Sequence, residues 1–183
     1  DRYFDVFVEY AKAGPEDVLV RIAVHNRGPE AAQIQLLPTL WFRNTWSWKP
    51  GQPRPVLRAV GGSVHAAHHE LGDYVLRAEG SPELLFTENE SNSPRLWGTA
   101  SDSPWVKDAF HEYVVAGKAD AVNPERTGTK AAARYLLEVP AGGSRVVRLR
   151  LSRADAVVAG SGAAPLADDF DAIVAARLAA RTV

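Results

Sequence analysis

Ala131-Ala132-Ala133-Arg134-Tyr135-Leu136-Leu137-Glu138-Val139, the turn Ala141-Gly142-Gly143-Ser144, and Arg145-Val146-Val147-Arg148-Leu149-Arg150-Leu151 decide the fold. Residues Ala131, Ala133, Tyr135, Leu137 and Val139 fall on one side of an extended chain. After the turn, Val147, Leu149 and Leu151 share one face and Arg148 and Arg150 the other. A period of two over such lengths is the mark of a half-buried strand. The short turn predicts that the two strands form a hairpin.

The same alternation runs upstream. Phe4, Val6, Val8 and Tyr10 make one apolar face, interrupted on the other by Asp5 and Glu9. Val18, Val20, Ile22 and Val24 follow after Gly14-Pro15-Glu16-Asp17, with Arg21 and His25 opposite. Asn26-Arg27-Gly28-Pro29 turns the chain into a third strand over 33–40, and the short connections predict an antiparallel meander. Further strands are expected over 64–69, 74–78, 83–87 and 110–116. Loops are expected over 44–56, 88–104 and 117–128. About eight or nine short strands between turns predict a mostly β, antiparallel, two-layer sandwich.

The tail changes period. Gly160-Ser161-Gly162-Ala163-Ala164-Pro165 reads as a linker. Asp168 or Asp169 then caps a helix with Phe170, Ile173, Val174 and Leu178 at helical spacing. The expected organisation is therefore a sandwich over 1–158 and a linker with the start of a helix over 159–183. The chain opens at Asp1 within a strand pattern and holds no methionine, which reads as a fragment.

A net charge of −1 gives no electrostatic footprint for nucleic acid or an anionic membrane. No apolar run approaches the roughly 20 residues of a membrane span. Cysteine is absent, which removes disulfides, thiolate nucleophiles and Cys-based zinc sites and fits a cytoplasmic protein. No cofactor motif is present: there is no P-loop, no G-x-G-x-x-G and no G-x-S-x-G.

The strongest local oddity is Trp41-Phe42-Arg43-Asn44-Thr45-Trp46-Ser47-Trp48. Indole faces stack on sugars and are also enriched at protein interfaces. Interdomain contact, sugar contact and local core are three readings of this cluster. Trp41 ends an apolar strand and can be internal. Trp46 and Trp48 lie beyond it and are expected to be partly exposed. Glu88-Asn89-Glu90 sets two carboxylates on one side of an extended segment. Such a pair could be a glycosidase acid and base, but neighbours on one short segment straddle a glycosidic bond poorly, so hydrogen bonding to adjacent loops is the simpler reading. His65, His68, His69 and Glu70 lack a fixed metal-ligand spacing. His111-Glu112 fits a hydrogen-bond network better than a catalytic pair.

Several stretches together resemble one family. They are residues 3–12, 37–48 and 85–90, with Ser103-Pro104-Trp105-Val106-Lys107-Asp108-Ala109-Phe110-His111-Glu112-Tyr113 and Asn123-Pro124 followed by Gly128-Thr129-Lys130-Ala131-Ala132. They look like bacterial glucosidase-like proteins related to glycoside hydrolase family 63, the family of mannosyl-oligosaccharide glucosidase. The resemblance implies an N-terminal, galactose-mutarotase-like sandwich beside an (α/α)6 barrel. It implies inverting hydrolysis of α-glucosidic bonds by an acid and a base that sit on the barrel. No segment here resembles that barrel, so no catalytic residue is carried over. The resemblance makes this chain a non-catalytic sandwich that braces the barrel of the same polypeptide. Arg43, Asn44, Trp46, Trp48, Glu88, Asn89 and Glu90 are the candidates for substrate or interdomain contact. A stand-alone carbohydrate-binding module using the same tryptophans, or an immunoglobulin-like interaction domain, are the alternatives.

Overall fold

The computed structural model describes residues 1–48, 51–155, 166 and 169–180. Its strands are β1 Phe4–Gly14, β2 Asp17–Asn26, β3 Ala32–Leu36, β4 Thr39–Trp41, β5 Val56–Val60, β6 Ser63–His68, β7 Gly72–Ala78, β8 Glu83–Thr87, β9 Thr127–Gly128, β10 Lys130–Val139 and β11 Ser144–Arg153. Helices are α1 Ser93–Trp97, α2 Ala109–Ala116 and α3 Phe170–Ala180, with a 3-10 turn at Ala119–Ala121. The protein is mostly β, its described strand pairs are antiparallel in keeping with a β-sandwich, and it carries a C-terminal helix. The expected linker, the boundary at residue 158 and a cap at Asp168 lie outside the described residues. The chain gathers into two compact units. One holds Asp1–Leu36, Asp73–Pro82 and Tyr135–Val183; the other holds Leu37–Gly72 and Glu83–Arg134.

In the first unit β2 pairs with β1 and β11, and β11 pairs with β7. One face of this ladder buries Ile22, Val24, Val147 and Leu149. The opposite face carries α3, whose Phe170 and Val174 pack with Ala11 and Leu19. Arg148 and Arg150 lie on that same face, as the alternation predicts. Arg148 ion-pairs with Glu79 and Asp171, and Arg150 with Asp17 and Asp169. The helix is therefore fastened by both apolar packing and charge.

Two sequence expectations fail in this unit. β10 and β11 do not form a hairpin: residues 135–139 of β10 pair with β3, while β11 pairs with β2 and β7. Nor does β3 extend a meander from β2. Pro140 follows β10 directly and has no N–H to continue a ladder. The chain instead crosses at Asn26, which is 2% exposed. Its Nδ2 donates to Val139 O at 3.1 Å and to Glu30 O at 2.7 Å, and its Oδ1 accepts from Gly28 N at 2.8 Å. One buried side chain thus satisfies the backbone at both crossings.

In the second unit β5 pairs with β6 and β9, and residues 130–134 of β10 lie between β4 and β8. Leu57, Val64, Phe86 and Ala131 are essentially inaccessible. The expected third strand is cut by Pro38 into β3 and β4. β5 lies where a loop was expected to end. Its hairpin to β6 turns through Gly61 and Gly62, at φ +54° and +83°, the left-handed pair a two-residue turn requires. The strand expected over 110–116 is the helix α2. Phe110 and Tyr113 are three residues apart and pack together with Leu85, Val122 and Ala132, a helical spacing. Gly117, at φ +67°, closes the helix.

Candidate functional site

The site grows from the end of β8. Beyond Thr87 the chain bends at Asn89, held on either side where Glu88 N donates to Trp105 O and Lys107 N donates to Glu90 O. Glu88 and Glu90 nonetheless come to one side, as the sequence predicts. Both meet Arg54. Its Nη2 lies 2.7 Å from Glu88 Oε2 and 2.8 Å from Glu90 Oε1. The two carboxylates are largely covered, with side chains 16% and 18% exposed.

Thr129, 1% exposed, organises the floor. Its Oγ1 donates to Glu88 Oε2 at 2.7 Å and accepts from Asn89 N at 2.8 Å, and its own N–H reaches the same carboxylate at 3.1 Å. Asn89 Nδ2 donates to Phe42 O at 2.8 Å, and Phe42 N donates to Thr129 O. That bond ties the Glu88-Asn89-Glu90 segment to the tryptophan segment. Gly128 makes the approach possible: a Cβ there would sit 2.3 Å from Thr87 O.

The aromatic residues surround this hub. Arg54 stacks over Trp46 with its guanidinium carbon 5.7 Å from the ring centre, and Arg43 over Trp48 at 4.9 Å. Trp46 is half-buried, and among the described residues its Nε1 has no hydrogen-bond partner, as is true of Asn44 Oδ1. Trp48 is 62% exposed, in keeping with expectation. Trp41 is 54% exposed and so is not internal: it ends β4 with its indole outside the core. Trp97, the last residue of α1, is exposed too.

All seven sequence candidates thus fall on two connected segments. The sequence reasoning missed Arg54 and Thr129. The signals available were a cation in a proline-rich loop and a Gly-Thr step after a turn. The histidines do other work. His68 Nδ1 accepts from the N–H groups of Glu70 and Leu71, and its ring packs on Phe42 and His69. Among the described residues no group of three or more His, Asp or Glu side chains is placed to hold a metal. His111 is exposed on α2, and Glu112 is held by Lys118, whose hydrogen bond lowers its pKa.

Fold and site together define a mostly β domain with an arginine-bridged carboxylate pair set among exposed indoles. No family model matches the chain. It is 34% identical over 181 residues to Uncharacterized protein YMR196W of Saccharomyces cerevisiae, a match covering 82% of this chain. The chain spans 17% of the length of that yeast protein. No helix among the described residues is long and apolar enough to cross a membrane.

Proposed function

We propose that this chain is the non-catalytic β-sandwich segment of a larger, α-glucosidase-type carbohydrate-active protein. It braces a helical catalytic barrel of the same polypeptide and offers its tryptophan loops to an oligosaccharide. The observation that carries this reading is the division of labour at the site. Glu88 and Glu90 are both engaged by one guanidinium, so these oxygens are closer than the about 6.5–9.5 Å an inverting pair needs. On the tryptophan segment tied to them, Trp41 and Trp48 stand exposed, as a sugar platform or a docking face requires. The cysteine-free composition fits a reducing compartment, and we place the protein in the cytoplasm.

Titrating the chain with gluco-oligosaccharides while following tryptophan fluorescence tests the sugar contact. Saturable quenching is expected, lost in Trp48→Ala and kept in a variant remote from the site such as Leu136→Ala. Absence of saturable quenching would remove the sugar contact from this segment.

A further inference from the structure

β1 pairs along one side with β2, and among the described residues no other strand pairs with it. Tyr3 O accepts from Arg27 N, so the odd-numbered carbonyls face β2 and the even-numbered ones point away. Lys12 O, one of these, takes a hydrogen bond from Arg177 of α3. The rest of this outer rank borders exposed apolar side chains. Val6 is 44% exposed, Val8 47%, Tyr10 73% and, on the other face, Phe7 52%. Strand edges are ordinarily protected by charge, proline or brevity. β1 has eleven residues and no proline. Its acids are already engaged, Asp5 by Arg27 at 2.7 Å and Glu9 by Arg21 at 2.6 Å. Such an edge is a template for another strand.

We propose that β1 pairs with β1 of a second copy of this chain, antiparallel, about a twofold axis through Val8. Length and charge select the register: centring on Val6 pairs only residues 4–8, and centring on Tyr10 carries the ladder into the irregular Lys12 to Gly14 end, where Lys12 O is already taken. A twofold axis normal to the sheet keeps each face continuous, so only registers centred on a residue arise. Centring on Phe7 sets Asp5 against Glu9, and centring on Glu9 sets that residue against itself. Like charges directly opposite destabilise a sheet. Centring on Val8 sets Val8 against Val8, Val6 against Tyr10 twice, and Phe4 against Lys12. Aromatic against β-branched is a favourable cross-strand pair. It also sets Asp5 of the second copy opposite Ala11, beside a groove of about 330 Å³ lined by Val8, Tyr10, Val174 and Arg177. Asp5 thereby approaches a guanidinium. This inference rests on the first unit and is independent of the sugar reading.

Sedimentation equilibrium of the 183-residue chain over a wide concentration range tests it. A monomer–dimer equilibrium is expected, abolished by Val8→Lys with far-ultraviolet circular dichroism unchanged. Should Val8→Lys fail to fold, Val8→Cys supplies the second reading: mild oxidation should give a disulfide-linked dimer, because the two Val8 positions face each other. A chain that stays monomeric overturns the proposal. So does a dimer that survives Val8→Lys, or one in which Val8→Cys fails to cross-link.

Discussion

Arg54 is the residue on which the site turns. It is 41% exposed at the side chain, yet it answers two carboxylates that are mostly covered. Truncating it to methionine leaves both without their cation, and an unpaired, partly buried polar group costs about 1–3 kcal/mol. Arg54→Met should lower the stability in urea by about that amount. The loss should shrink when Glu88→Gln is already present, since neighbours in one network couple. Equal losses in the two backgrounds would show that the bridge contributes nothing. Gly128 is the second telling residue. Its missing Cβ makes room for Thr87 O, a backbone atom that cannot swing aside. Gly128→Ala should cost about 2 kcal/mol or more, an overpacking penalty, and should loosen the Asn89 to Phe42 bond with it. An unchanged urea midpoint would refute this. Glu88 and Glu90 could be placed on one side from sequence because period two is local. Arg54 could not be assigned to them, since nothing in a proline-rich loop specifies which distant strand end it meets.

The helix α3 shows what an element takes from its support. Its outward positions are ordinary, but Phe170 is 3% exposed against Ala11 and Leu19. Phe170→Ala should cost about 3–5 kcal/mol if docking and folding are one transition, and otherwise should free the helix alone. Faster amide exchange across α3 checks either case; unchanged exchange rules out the docking. The charge clamp adds a pH dependence. Arg148 hydrogen-bonds to Asp171 and holds its carboxyl below the usual carboxylate range. A depressed folded-state pKa stabilises above the unfolded value, near 3.9, and that contribution fades as pH falls through the folded value. Exchange across α3 should therefore rise on acidification below about pH 4, and less so in Asp171→Asn. This helix was legible because Phe170 and Val174 are four apart. α2 was misread as a strand because Phe110, Tyr113 and Val114 are too few to separate the two periods. The supposed hairpin of β10 and β11 failed differently. Each strand was correct, but alternation within a strand carries no information about its partner, and Pro140 and Asn26 decided that.

At the scale of the whole molecule, the question is whether the chain performs chemistry or only holds and positions. Hydrolysis at an anomeric carbon needs two carboxyl groups flanking the bond, about 6.5–9.5 Å apart with a water between for inversion, or about 5–5.5 Å apart for retention. Glu88 and Glu90 are the carboxylate pair tied to the tryptophan segment, and a guanidinium lies between them. Glu88 directs its remaining hydrogen-bonding capacity inward, toward Thr129 rather than toward solvent. On the proposed reading, a sugar would meet the exposed indoles of Trp41 and Trp48 and the Arg43 stacked on Trp48, groups that transfer no proton at neutral pH. The chain is therefore expected to release no glucose from α-glucosides, freed of contaminating hydrolases and followed by a coupled glucose assay. Glu88→Gln and Glu90→Gln should leave that baseline where it is while lowering stability. Turnover that either substitution abolishes would place the acid or base on this segment and sink the division of labour argued from Arg54.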